Sequence, residues 1–373
     1  MKIGLVSIHA AHNYGSVLQA YALQEKLKEY SKKVEIINYR PNYFECQYKL
    51  CSVKVYKRYK GIKSKILHLG WRILKIKQRY IKYKKFEDFI SSNYNLTKRY
   101  RTYNELNKEK FDHDVFFCGS DQIWNTDITE GFDKTYYLGF VDSNQIKASY
   151  AASLGRKTVD SKYKNEYIEY LNRLDYISLR ESSAQSEIAK FTDKPISISI
   201  DPTLLMNKTF WAKSANKSKI EIPYPYIFVY ILEENDEFVK MVNSISEYMG
   251  IKVVSVSKKK RFKNESIIID AGPYDFLKLF KDAEFVITNS FHGTVFSLVF
   301  EKRNCIIPHQ GTGSRMIDLM KKVGLEDRIL NSSSELNLEK ITKNINYNIV
   351  NDKLNQERKR AEEYLKNAIR EKK

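Results

Sequence analysis

Four cysteines are all that the 373 residues contain, and Cys46, Cys51, Cys118 and Cys305 are scattered along the chain. That spacing fits neither a disulfide framework nor a set of paired zinc ligands, so a reduced, cytoplasmic protein is the simplest expectation. No run of about 18 apolar residues occurs, which leaves no candidate transmembrane helix. The first strand-like segment, residues 2–8, runs straight into a polar loop without a small-residue cleavage site, so no signal peptide is expected. Acidic residues are missing altogether between Gln47 and Phe86. What is present excludes disorder: 42% of residues are hydrophobic, with 27 Tyr and 19 Phe, which suits a folded globular chain and not collagen, a mucin or a low-complexity tail. At roughly 100–200 residues per domain, the length suggests two domains, each with its own core.

The 64 Lys and Arg outnumber the 45 Asp and Glu, for a net charge of +19. Such an excess points to nucleic acid, an anionic membrane surface or a polyanionic substrate. Fourteen of the basic residues fall in the acid-free stretch 47–86, so the rest of the chain is mildly basic. Within that stretch Ile62, Ile66, Leu69, Ile73, Ile76 and Tyr80 recur at helical spacing, with Lys and Arg between them. Two readings stay open: a helix whose stripe packs on its own domain, or one that lies on an anionic bilayer. Nucleic acid is disfavoured, because there is no Cys/His finger, no heptad zipper behind the basic region and no RNA-recognition strand pattern.

The chain begins as a βαβ unit: strand 2–8, loop 9–16, helix 17–30 and strand 34–38. Beyond the basic insert come the strand 115–118, the strand 148–152 and the helix 163–171. A second series runs from strand 176–179 through strands at 226–232, 252–256, 266–270, 284–288 and 305–308, with helices between them. The polar segment 206–225 reads as a linker, and a charged helix begins at Asn351. Alternation at these intervals predicts α/β architecture with parallel sheets wound on both sides. The expected domains are 1–175, carrying a basic helical insert at 47–92, then 176–330, then a helical tail at 331–373.

Ligands of open α/β sheets bind beyond the C-terminal ends of the strands, which singles out four loops. Residues 9–16 hold His9, His12, Asn13, Gly15 and Ser16 ahead of a helix whose first amides could cradle an anion; a single glycine excludes the dinucleotide fingerprint. For the two histidines, solvated or capping roles are expected. Residues 119–125 place Asp121 after a buried strand, as a general base or as an ordinary helix cap. Arg180, leaving the strand at 176–179, suits bidentate capture of a carboxylate or phosphate, or else an ion pair with Glu181 or another carboxylate. Residues 288–294 hold Ser290, His292 and Gly293 between a buried strand and a helix, with Arg315 after the following strand. A histidine there can donate to an oxyanion or exchange a proton with a substrate.

Taken together, Asn13, Tyr14, Gly15 and Ser16, the run from Gly119 to Asn125, Leu179 to Ser183, Asp201 with Pro202, and Ser290 to Gly293 resemble the polysaccharide pyruvyl transferase family over most of the chain. One departure is Ser290, where many members carry arginine. The resemblance implies two Rossmann-like domains facing across a cleft, as in B-type glycosyltransferases. It implies phosphoenolpyruvate as donor and a saccharide, often lipid-linked, as acceptor. On that basis His292 and Asp121 are the expected catalytic pair. Arg180, Arg315, Ser290, Gly293, Asn13, Gly15 and Ser16 are the expected donor-binding residues, and no metal or cofactor is expected. Two other readings remain: a nucleotide-sugar glycosyltransferase, and a non-enzymatic basic adaptor for membrane or nucleic acid. A place at the inner face of the plasma membrane would suit the insert.

Overall fold

The computed structural model describes residues 1–48, 76–257, 259–308 and 313–370. The chain divides into two compact units, residues 1–205 with 357–373, and residues 206–356.

In the first unit a six-stranded sheet has the order β2-β1-β3-β4-β5-β6. The strands are β1 Lys2–Val6, β2 Lys33–Ile36, β3 Val115–Asp121, β4 Ile146–Ala152, β5 Ile177–Leu179 and β6 Ile196–Ile198. Their pairings are parallel. β3 and β4 are buried along their whole length, as strands covered on both faces must be, and their apolar runs reflect this. From β1 the chain steps outward to β2 and then returns to the other side of β1 as β3. The winding therefore reverses between β1 and β3, where an open sheet of this kind leaves its ligand crevice. The helix Tyr14–Leu27 follows β1 and starts on an Asn13 cap. Behind β3, Trp124 donates its indole N–H to the Tyr136 carbonyl at 2.9 Å and stacks on Tyr137.

The second unit repeats the plan with five parallel strands in the order β11-β10-β7-β8-β9. They are β7 Tyr226–Tyr230, β8 Lys252–Ser255, β9 Glu265–Ile267, β10 Phe285–Thr288 and β11 Arg303–Ile306. Here the reversal lies between β7 and β10. The helix Asp236–Met249 begins on an Asn235 cap and ends on Gly250 at φ 65°, the left-handed stop that glycine makes without strain. Phe228, Phe276, Phe280 and Phe296 meet largely edge to face on one side of the sheet.

Several sequence expectations need correction. The boundary expected at 175/176 falls at 205/206, because β5 and β6 join the first sheet: Ala152 pairs with Leu179, and Ile177 with Ile196. Three apolar residues cannot announce which neighbour they will pair with. The tail expected at 331–373 is also divided, its last residues from 357 belonging to the first unit. Its helix, expected from Asn351, spans Tyr347–Arg370 and buries Leu354, Ala361 and Leu365. The segment read as a linker holds the helix Lys208–Ala215 with Trp211 buried. Gly119, Ser120 and Asp121, read as a loop, continue β3.

Of the basic insert, residues 49–75 lie outside the described residues, and with them the stripe positions from Ile62 to Ile73. The helix Ile76–Asn93 is described. It packs through Phe86, Phe89 and Ile90, whereas the remaining stripe positions, Ile76 and Tyr80, are 49% and 54% exposed. Among the described residues no helix is long and apolar enough to cross a membrane.

Candidate functional site

At the reversal of the first sheet, side chains from five strand ends converge. Ser16, in the first turn of the helix after β1, donates its hydroxyl to Asp121 Oδ2 at 2.7 Å. Asp121 ends β3 with φ 69°. Gly119 precedes it at φ 133°, and a Cβ there would lie 2.0 Å from the Tyr150 carbonyl oxygen, so β3 can lie this close to β4 with glycine alone. Arg180 leaves β5 with its side chain 2% exposed. Its Nη1 is 2.8 Å from Asp201 Oδ2, its Nη2 is 3.6 Å from Asp121 Oδ1, and its Nε is 3.9 Å from Glu181 Oε2. Burial works against the cation, but the charges of Asp201, Asp121 and Glu181 outweigh it and hold the guanidinium pKa above its ordinary value. Glu181 Oε1 in turn accepts from the Ser153 hydroxyl and from the amides of Leu154 and Gly155, which fixes the turn after β4.

This geometry fits the second of the two readings of Arg180, an ion pair with Glu181 or another carboxylate: the guanidinium lies among three carboxylates, closest to Asp201. The loop after β1 changes meaning. The amides of Gly15 and Ser16 are directed at Asn13 Oδ1, at 2.9 and 3.3 Å, so the first turn is capped from within and does not present those N–H groups to an anion. His9, expected to be solvated or capping, is buried. Its ring contacts the Ser7 carbonyl at 3.1 Å and Asn38 Oδ1 at 3.2 Å, and burial, followed by the nearby Arg40 charge, pushes its pKa down to about 4. His12 meets Glu87 at 2.8 Å and stacks on Phe86, which ties the loop to the helix Ile76–Asn93.

The reversal of the second sheet is organised by Thr288, Asn289 and Ser290. The Thr288 hydroxyl donates to the Tyr230 carbonyl at 2.6 Å and accepts from the Ser290 amide at 3.0 Å, joining the ends of β7 and β10. Asn289 receives the Leu232 amide at 2.8 Å and donates to the Glu233 carbonyl, so it clamps the loop after β7. Ser290 caps the helix Phe291–Val299 by accepting from the Gly293 amide at 3.4 Å. Gly293 is required by packing, since a Cβ there would lie 2.1 Å from Thr288 Oγ1. His292 stands in the first turn of this helix, largely buried. The Phe291 ring carries the Arg315 guanidinium at 5.5 Å on one side and meets the His292 ring edge-on at 5.3 Å.

Each unit therefore assembles one group of polar side chains at its sheet reversal: Ser16, Asp121, Arg180, Glu181 and Asp201 in the first, Asn289, Ser290, His292 and Arg315 in the second. Asp201 and Asn289 had no expected role, and Glu181 only that of an ion-pair partner for Arg180. Asp201 stood in a recognisable Asp-Pro pair, and Asn289 sat in a loop already singled out; what the sequence withholds is their partners. Among the described residues no group of three or more His, Cys, Asp or Glu is arranged to hold a metal ion.

The sequence pattern of the family described as polysaccharide pyruvyl transferase matches residues 13–311. No curated protein sequence matches the chain. Among solved structures, the UDP-N-acetylglucosamine 2-epimerase from Rickettsia bellii aligns over 97% of this chain and 95% of its own, with a TM-score of 0.50 and 11% identity. The UDP-GlcNAc 2-epimerase from Methanocaldococcus jannaschii aligns over 96% and 94%, with a TM-score of 0.48 and 13% identity. The E. coli ADP-heptose LPS heptosyltransferase II aligns over 97% and 100%, with a TM-score of 0.37 and 8% identity. At 11% identity the likeness to the Rickettsia bellii structure speaks to fold alone: two Rossmann-like units.

Proposed function

The chain belongs to the polysaccharide pyruvyl transferase family, and from that premise we propose that it moves a pyruvyl group from phosphoenolpyruvate onto the hydroxyls of a saccharide, closing a cyclic ketal in cell-surface polysaccharide or exopolysaccharide synthesis. The observation that carries this reading is the family match itself, which spans the end of β3 with Asp121 and the end of β10 with His292.

In this reading a proton is delivered to the methylene carbon of the donor, leaving an oxocarbenium-like centre at C2. A sugar hydroxyl attacks C2 and gives up its proton to a base. The C2–O bond to phosphate then breaks, and a second hydroxyl attacks C2 to close the ketal, its proton leaving with the inorganic phosphate. Asp121 is assigned as the base on the hydroxyl, because Ser16 and Arg180 hold its carboxylate at a strand end. His292 is assigned the proton that reaches the donor carbon or the departing phosphate. Arg315 is assigned to the donor's anionic groups, a role for which a planar guanidinium is suited. Arg180 keeps a supporting part, through Asp121.

Mass spectrometry of candidate saccharide acceptors incubated with phosphoenolpyruvate tests the proposal. It expects the added pyruvyl mass with release of one phosphate. Tight binding of a UDP-sugar, with no mass gain from phosphoenolpyruvate, would instead make this a nucleotide-sugar glycosyltransferase.

The basic insert is assigned to an anionic surface, either a bilayer or a lipid-linked acceptor. Support comes from the sequence charge of residues 47–86 and from the exposure of Ile76 and Tyr80. Sedimentation with anionic vesicles, compared with neutral ones, should fail when the basic residues of 77–85 are neutralised, and unchanged binding would remove this assignment.

A further inference from the structure

Asp201 takes part in no step of the transfer just described, yet its side chain is fully buried beside the groups that do. Its Oδ1 accepts from the Thr203 amide at 3.0 Å and from the Thr203 hydroxyl at 2.6 Å. Its Oδ2 accepts from Arg180 Nη1 at 2.8 Å. The other terminal nitrogen of the same guanidinium lies 3.6 Å from Asp121 Oδ1. Two carboxylates share one cation, then, and the cation sits closer to Asp201.

From this geometry we propose that Asp201 is a positioning residue for Asp121: it draws Arg180 toward itself and adds a negative charge behind it, keeping the Asp121 carboxylate basic enough to take a proton from a sugar hydroxyl. The proposal rests on the reading of Asp121 as the base. Among the described residues, charged groups near Asp121 include Arg180 and Glu181 after β5 and Asp201 after β6. The helix after β1 contributes the neutral hydroxyl of Ser16.

Two effects act in the same direction. A nearby like charge raises the pKa of a carboxyl group, and an opposite charge lowers it. Asp201 supplies the first and competes for the second. Removing its charge therefore deprives Asp121 of a repulsive neighbour and leaves Arg180 to close on it. Asp121 becomes a weaker base.

The test is the titration of Asp121, read as the carboxyl carbon signal of aspartate-labelled protein and identified by its absence in Asp121→Asn. In Asp201→Asn the midpoint should fall by about one pH unit. The acidic limb of the kcat/KM profile for pyruvyl transfer should move down with it, while KM for phosphoenolpyruvate stays unchanged. Thr203→Val removes one donor to Asp201 and no charge. With less of its charge answered, Asp201 pulls harder on Arg180, so both readouts should move the opposite way by less, and this variant decides the matter alone if Asp201→Asn does not fold. An Asp121 midpoint that stays put in the folded variants overturns the proposal. Wild-type transfer by Asp121→Asn overturns the base assignment, and this proposal with it, whatever the titration shows; an unmoved midpoint in a protein whose activity does need Asp121 overturns the role of Asp201 alone.

Discussion

At the reversal of the first sheet a buried guanidinium is ringed by Asp121, Glu181 and Asp201, whereas at the reversal of the second Arg315 rests on the face of Phe291 next to His292. The two units share a winding scheme and place their polar groups at the same topological point. They differ in what surrounds an arginine. In the first, Arg180 lies among three carboxylates; in the second, Arg315 lies over an aromatic ring. A shared fold fixes where the chemistry can stand, and the local charge balance decides which partner it can meet.

The contrast can be broken most sharply at the reacting groups. Asp121→Asn and His292→Ala should each lower the rate of phosphate release with phosphoenolpyruvate and acceptor by about 10²- to 10⁴-fold. Loss in one variant alone would confine the chemistry to one unit. Next in size is stability. Arg180→Ala leaves three carboxylates without their cation and should cost about 3–5 kcal/mol in urea unfolding, while Arg315→Ala gives up a cation–π contact of about 0.5–1 kcal/mol and should act chiefly on donor binding. Equal losses would erase the distinction between the two arginines.

The pH dependence of the first unit follows from His9. Its folded pKa is pushed down to about 4 by burial, with the Arg40 charge adding to it, against about 6.5 in the unfolded chain. Between those values the unfolded chain binds the extra proton, so stability is full above about pH 6.5 and is lost as pH falls toward 4, by about 3 kcal/mol in total. Urea midpoints at a series of pH values should show this slope in the wild type and lose it in His9→Gln. In the second unit, Gly293→Ala pushes a methyl group against Thr288 and should cost about 1–3 kcal/mol, seen as a lowered Tm.

Much of the fold could be read from the chain, because buried parallel strands announce themselves as short apolar runs. β1, β3, β7 and β10 were all located to within a few residues, and so were the loops that follow them. Asp121 and His292 stood out as candidates because each lies within a few residues of such a run. The ion pairing of Arg180 was readable as one of two alternatives, but not that Asp121 and Asp201 would join Glu181 in it. Its carboxylate partners come from three strand ends, and the contact that orients Asp121 joins residues 105 positions apart. Pairing of β5 with β4 rests on one register pair between short strands, and three residues carry too little pattern to predict it. The His9 environment failed for a similar reason: a histidine in a polar-looking loop gives no sign that Asn38 and Tyr94 will close over it.

The helix Tyr347–Arg370 carries a consequence for how the protein is made. Its last turns complete the first unit: Tyr364 donates to the Ser149 carbonyl at 2.6 Å, Glu362 meets the part-buried Lys26 at 2.6 Å, and Leu365 is wholly enclosed. Residues 206–356 are synthesised before Glu362, Tyr364 and Leu365. The unit whose strands are synthesised first is thus the one finished last, and the nascent first sheet must wait, with its place for Leu365 unfilled, through the synthesis of an entire second unit.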